Sequence, residues 1–145
     1  MNHVKMFLAA ALVLVGAQSV ASVANASDAC TNVKFKFINH HSDHGRASAI
    51  KVNKVEYYNS DSGKWRTEDV VNVECAVNAT CTTKGDNLTD AEARNITKVK
   101  FHYFYKETDG QWSKEFTGGE KSIASGDQRC AAGKTYGTFE IVGTP

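Results

Sequence analysis

Short segments of this chain alternate apolar and polar residues, and this period of two constrains the fold more than any other feature. The longest apolar row comprises Val99, Phe101, Tyr103 and Tyr105. Shorter rows comprise Val33, Phe35 and Phe37; Ile50 and Val52; Val55 and Tyr57; and Phe139 and Ile141. Because successive side chains of a strand point to opposite faces of a sheet, each row predicts a strand with one buried face.

The connections between these rows also have the chemistry of a β-fold. The parity of the apolar residues changes between Val52 and Val55, which predicts a β-bulge near Asn53 and Lys54. Polar turns end at Gly63 and Gly110, and each glycine can adopt the positive φ that a hairpin turn requires.

Residue usage supports strands over helices. After residue 26 the chain has one leucine, Leu88, and no methionine, and its only proline is Pro145. Its apolar residues are mainly β-branched or aromatic, which suits a pleated surface. We therefore predict an antiparallel β-sandwich of about seven strands. An immunoglobulin-like arrangement is one form of it, and a small closed β-barrel is the alternative.

One short helix is predicted near Asp90–Asn95. Thr89 and Glu92 stand three residues apart, as in a capping box, and few residues separate them from the strand that starts at Ile96. The helix is therefore expected to act only as a connector.

The first 26 residues have the three parts of an export signal. Lys5 lies in a polar start, an apolar run follows, and Ala24 and Ala26 supply the small residues of a cleavage site. The run is too short to span a bilayer, and no later segment is a transmembrane candidate. We predict a cleaved signal peptide at 1–26, a single domain at 27–145, and a secreted or periplasmic protein.

Four cysteines, Cys30, Cys75, Cys81 and Cys130, predict two disulfides in an oxidising compartment. Three pairings are possible, and we favour Cys75–Cys81 with Cys30–Cys130, because few residues need to close the shorter loop. The long loop is expected to stabilise by on the order of 4 kcal/mol, and the short one by about 2 to 3 kcal/mol. The chain contains no Cys-x-x-Cys pair, which is the spacing that would favour a zinc or redox site instead.

Charge and motifs exclude several function classes. Removal of residues 1–26 takes away one basic residue, Lys5, so the 17 basic and 16 acidic residues of the chain become 16 of each. This balanced charge gives no reason to expect nucleic-acid binding. The chain contains neither Gly-x-Ser-x-Gly nor His-Glu-x-x-His, and we predict that it is not an enzyme. An acid–base pair of His102 with Glu107 or Glu140 is the catalytic alternative.

A binding surface is predicted on the strand that carries the longest apolar row. Its inward row leaves His102 and Phe104 on the opposite face, with Tyr58 expected near Phe104. Trp65 and Trp112 each follow a hairpin turn, where an indole can cap the core, which is the more common role, or contact a glycan. We expect these five side chains to form a contact surface for another protein, with glycan binding through the two tryptophans as an alternative.

A metal site is the remaining candidate. His40, His41, Asp43 and His44 fall within five residues, and imidazole suits both Cu(II) and Zn(II). No fourth ligand is fixed by spacing, so a solvated polar loop explains the same residues. The preferred interpretation is an exported protein that needs no cofactor and binds a partner protein, such as an inhibitor, an immunity protein or an envelope component. A copper- or zinc-binding protein is the alternative.

Overall fold

A computed structural model describes residues 30–41, 48–60, 62–85, 88 and 95–143, and eight β-strands make up most of these residues. The strands are β1 (Lys34–His40), β2 (Ala49–Asn59), β3 (Lys64–Ala76), β4 (Thr80–Thr82), β5 (Ile96–Lys106), β6 (Phe116–Thr117), β7 (Lys121–Ser122) and β8 (Thr135–Val142). One 3-10 turn, Ser125–Asp127, precedes β8. The prediction of an all-β fold is confirmed.

The strands form two sheets that pack against each other as a sandwich. The smaller sheet has the order β4-β1-β8, and the larger has the order β3-β2-β5, with β6 and β7 both pairing with the far edge of β5. Among the described residues every strand pair is antiparallel except β1 with β8, which is parallel. The sandwich prediction is confirmed, and the barrel alternative is not favoured.

Local details predicted from the sequence also appear. Val52 pairs with Tyr103 and Lys54 pairs with His102, so Asn53 is an extra residue in β2, at the predicted bulge. Gly63 has a φ of 66° in the turn between β2 and β3, and Gly110 has a φ of 84° after β5. The predicted helix near Asp90–Asn95 lies outside the described residues, apart from Asn95, which forms an isolated β-bridge.

The core is an aromatic cluster between the two sheets. Phe101 of β5 lies among rings of the smaller sheet, with centroid distances of 6.3 Å to Phe35, 5.7 Å to Phe37 and 5.6 Å to Phe139. All four rings are buried. The inward rows predicted from the alternation therefore meet each other across the sandwich, which is how each strand buries its apolar face.

Both favoured disulfides are present. Cys30–Cys130 joins the segments that precede β1 and β8, and Cys75–Cys81 joins β3 of the larger sheet to β4 of the smaller one. Two disulfides in one small domain indicate an oxidising environment. Among the described residues, no helix has the length and apolar character needed to cross a membrane.

Candidate functional site

The larger sheet has one face in the core and one face turned away from the smaller sheet, and we call the second the outer face. On β5, Val99, Phe101 and Tyr103 are buried, so the residues between them are on the outer face. Strand register places these side chains on the outer face: Lys51, Lys54, Glu56 and Tyr58 of β2; Trp65 and Glu74 of β3; and Lys98, Lys100, His102, Phe104 and Lys106 of β5. Alternating aromatic and charged residues therefore cover a face that the sequence pattern leaves out of the core.

All five side chains of the predicted binding surface lie on this outer face. Tyr58 and Trp65 are cross-strand partners, His102 and Phe104 are on β5, and Trp112 bridges to Lys106 just after it. Each of the five is half-buried. The two indoles thus lie outside the core, contrary to the core-capping role that is more common for such residues.

One detail of the predicted surface is wrong. Tyr58 of β2 lies opposite Lys98 of β5, whereas Phe104 of β5 lies opposite Lys51 of β2. Along β5, the residue opposite Tyr58 is therefore six positions from Phe104. At about 3.3 Å per residue, this separation is roughly 20 Å. Tyr58 is therefore not near Phe104 as expected, and the two residues belong to separate aromatic clusters at opposite ends of the face.

His102 lies at the centre of the outer face, between two carboxylates. Its Nε2 is 2.7 Å from Oε1 of Glu56, and its Nδ1 is 3.3 Å from Oε1 of Glu115. Lys100 and Lys54 pair with these two carboxylates at 3.4 Å and 3.1 Å, respectively. The side chains of this central cluster link β2, β5 and the segment before β6, in addition to the backbone pairing of β2 with β5.

Glu115 is the member of the central cluster with a perturbed carboxyl group. The hydrogen bond from Asn53 Nδ2 is the largest cause that lowers the pKa of Glu115, and the Lys54 ammonium and His102 lower it further. Partial desolvation opposes these contacts without reversing the direction. The site therefore stabilises Glu115 as a carboxylate.

The predicted acid–base pairs are wrong. Glu107 lies in the turn after β5, and Glu140 is on β8 of the other sheet. The two ring nitrogens of His102 instead contact Glu56 and Glu115. Thr117 Oγ1 also approaches His102 Nδ1 at 3.3 Å, on the nitrogen that Glu115 contacts. The imidazole therefore bridges the carboxylates of Glu56 and Glu115.

The first aromatic cluster lies at the end of the outer face near the β2–β3 turn. The rings of Tyr58 and Trp65 have centroids 5.4 Å apart, and the Lys100 ammonium is 4.0 Å from the Trp65 ring centre. Lys100 also pairs with Glu56. Cation–π contact and an ion pair together hold this lysine in place.

The second aromatic cluster lies at the opposite end of the face. The Lys51 ammonium is 4.4 Å from the centre of the Trp112 ring and 5.2 Å from that of Phe104. Lys106 is 5.7 Å from the Trp112 ring centre and pairs with Glu74 at 3.7 Å. Both indoles of the protein are therefore in cation–π contact with lysine ammonium groups.

The histidine-rich segment is described only in part. His40 is the half-buried last residue of β1, and His41 is 4% exposed, with its ring stacked 4.9 Å from that of Tyr105. Asp43 and His44 lie outside the described residues. Within the described ranges, no group of three or more His, Cys, Asp or Glu side chains could hold a metal ion. The metal site stays a prediction.

Sequence reasoning missed the charged residues of the outer face. Glu56 and Glu115 lie 46 and 13 residues from His102 along the chain, and Lys51 meets Phe104 only through strand pairing. The predicted bulge at Asn53 and Lys54 was the available signal, because the extra residue places Lys51 on the same face as Lys54 and Glu56. The alternation of residues in β2 does not show which strand pairs with it.

The structure also contains a cleft away from the outer face. It has a volume of about 270 Å³ and lies between β8 and the segment after β7, where Ile123, Asp127 and Phe139 contribute to its wall. None of the side chains predicted as binding or metal-ligating residues lines it.

Comparison with family models, with curated proteins and with solved structures finds no match to this chain.

Proposed function

We propose that this protein is exported and acts by binding another protein through the outer face of its larger sheet, without catalysis. The observation that carries the proposal is the convergence of Tyr58, Trp65, His102, Phe104 and Trp112 on that one face. Tyr, Trp and Phe are enriched in protein interfaces, and half-buried rings gain further burial when a partner covers them.

The rigidity of this face supports a binding role. Ion pairs and cation–π contacts connect neighbouring strands across it, so its side chains are held in position before any partner arrives. Ordering long side chains on association costs about 0.5 to 1.5 kcal/mol each, and side chains that are already held avoid much of that cost.

Glycan binding through Trp65 and Trp112 has less support. The ammonium groups of Lys100 and Lys51 lie over these indoles at 4.0 Å and 4.4 Å. A sugar that stacked on the same ring faces would have to displace them. A protein partner can instead contact ring edges and lysines together.

The proposed location outside the cytoplasm rests on two observations. Residues 1–26 have the composition of an export signal, and two disulfides link the strands of the domain. Purified protein whose amino-terminal sequence begins at Ser27 would support export and cleavage; a chain that retains residue 1 in the envelope fraction would contradict the cleavage.

The binding proposal is tested by quantitative affinity capture from the envelope and medium of the producing organism. The wild type is compared with a Trp65→Ala/Phe104→Ala variant and with a Thr138→Ala/Glu140→Ala control, whose substitutions are on exposed positions of β8. We expect at least one protein to be retained by the wild type and the control, and about tenfold less by the face variant. Equal retention by all three proteins would contradict the proposal, and Trp-dependent binding on a glycan array would replace it with glycan recognition.

A further inference from the structure

We infer that Lys51, held over Phe104 and Trp112, receives a carboxylate from an acidic side chain of the partner protein. This inference rests on the proposed function and adds the chemistry of one contact point. It starts from a difference between Lys51 and the other lysines of the outer face.

Each of the other outer-face lysines already has a carboxylate within reach. The pairs are Lys54 with Glu115 at 3.1 Å, Lys98 with Glu120 at 2.7 Å, Lys100 with Glu56 at 3.4 Å and Lys106 with Glu74 at 3.7 Å. Within the part of the chain that the structure describes, Lys51 has no such pair, and its ammonium contacts only two aromatic rings. Its cross-strand partner Glu74 pairs instead with Lys106, so Lys51 is the outer-face lysine without an ion pair among the described residues.

The two rings also restrict where the Lys51 ammonium can go. Contacts at 4.4 Å and 5.2 Å place it beside half-buried aromatic surface, where a partner that covers Phe104 and Trp112 would also desolvate the charge. A charged acceptor compensates a desolvated ammonium best, because a buried charge without an opposite charge is costly. A partner that covers this cluster therefore gains most when it brings an anion.

The surrounding charges favour an isolated acidic side chain over a polyanion. Glu56, Glu74, Glu115 and Glu120 each pair with a lysine of this face, so both signs of charge are present there. A nucleic acid or sulfated glycan would place successive negative charges against these glutamates. One Asp or Glu beside apolar residues matches both the lysine and the rings.

The test is selection from a random dodecapeptide phage library on the immobilised wild-type protein. A parallel selection uses Lys51→Gln, and Lys100→Gln is the matched control, because Lys100 also contacts an indole but already pairs with Glu56. We expect Asp and Glu to be enriched next to apolar residues with the wild type and with Lys100→Gln, and not with Lys51→Gln.

A synthetic selected peptide then gives a double-mutant cycle. Replacing its acidic residue by the neutral amide should weaken binding to the wild type and to Lys100→Gln by about tenfold or more, and should have little effect on Lys51→Gln. An equal loss with Lys51→Gln would overturn the inference.

The two proposals can fail separately. Peptides that lose affinity on Phe104→Ala but show no acidic preference would overturn the carboxylate inference and leave the binding face standing. Peptides that bind Trp65→Ala/Phe104→Ala as tightly as the wild type would count against the outer face itself. If the wild type selects no more phage than this variant, both proposals are overturned.

Discussion

At the scale of single residues, Glu115 shows how one carboxylate can organise a surface. It accepts a hydrogen bond of 2.5 Å from Asn53, pairs with Lys54 at 3.1 Å and lies 3.3 Å from His102. Two of these partners are on β2 and one is on β5, so the carboxylate links neighbouring strands to the segment before β6. The contacts favour the ionised form of Glu115.

The lowered pKa of Glu115 predicts a pH-dependent contribution to stability. A carboxyl group whose pKa is lower in the folded state stabilises the fold above its unfolded pKa of about 4.3, and this stabilisation is lost as pH falls through the folded value. Glu115→Gln should therefore lower the free energy of unfolding at pH 7 by less than about 1 kcal/mol, since the pair is partly exposed. Urea unfolding should show a larger difference between Glu115→Gln and the wild type at pH 7 than at pH 3, because protonation of Glu115 at low pH removes the stabilisation.

Glu140→Gln is the control for this experiment. Glu140 is exposed on β8, and the structure shows no ion pair between it and the other described residues. Its substitution removes no such ion pair, so its effect on the free energy of unfolding at pH 7 should be within about 0.5 kcal/mol. An equal loss for both variants, or a loss for Glu115→Gln that is as large at pH 3 as at pH 7, would contradict the assigned role of the Glu115 carboxylate.

At the scale of elements, β5 shows what a period of two can and cannot predict. Its alternation correctly separates the core row from the outer row. Which strand pairs with it, and in which register, depends on contacts between distant parts of the chain. Strands β6 and β7 have two residues each, which is one period or less, so no alternation could have revealed them.

The two faces of β5 predict opposite outcomes for two phenylalanines three positions apart. Phe101 is 1% exposed among the rings of the smaller sheet, whereas Phe104 is on the outer face under Lys51. Phe101→Ala should cost about 3 to 5 kcal/mol, as expected for a buried ring. Phe104 is half-buried, so Phe104→Ala should cost less, about 1 to 2 kcal/mol. Denaturant unfolding of both variants measures this difference, and comparable losses would mean that Phe104 belongs to the core.

The bulge in β8 gives a second prediction at this scale. Between Phe35 and Phe37 of β1, β8 advances from Tyr136 to Phe139, so it contains one extra residue, and Gly137 has a φ of 103° there. A Cβ on Gly137 would lie 2.4 Å from the carbonyl oxygen of Lys36. Gly137→Ala should therefore destabilise by more than about 1 kcal/mol, through backbone strain and this clash.

Gly119→Ala is the matched control, because a Cβ at Gly119 would meet no atom within 4 Å. Its effect on the free energy of unfolding should be within about 0.5 kcal/mol. The same thermal or urea unfolding series covers both glycines. If Gly137→Ala were as stable as the wild type, the bulge would not require the positive φ.

At the scale of the whole molecule, the surface depends on strand order more than on any local motif. The sequence predicted each of the five side chains of the binding surface separately, because each stands at an outward position or follows a turn: Tyr58, Trp65, His102, Phe104 and Trp112. Their convergence follows from β2 lying between β3 and β5. Lys51 carried no signal of its own, since its contacts with the rings exist only after β2 and β5 have paired.

The disulfides give the final prediction, at the scale of chain topology. Cys30–Cys130 closes a loop with a sequence separation of 100, whereas Cys75–Cys81 has a separation of 6. In the chain-entropy model, the long loop stabilises by about 4.7 kcal/mol and the short one by about 2 to 3 kcal/mol. Cys30→Ala/Cys130→Ala should therefore lower the free energy of unfolding more than Cys75→Ala/Cys81→Ala, in urea titrations under one set of non-reducing conditions. Thiol titration of each denatured variant must first find no free sulfhydryl, which shows that the other bridge has formed. Equal losses would mean that loop length does not determine what these bridges contribute, and a larger loss for the short loop would mean that the link between β3 and β4 is the more important one.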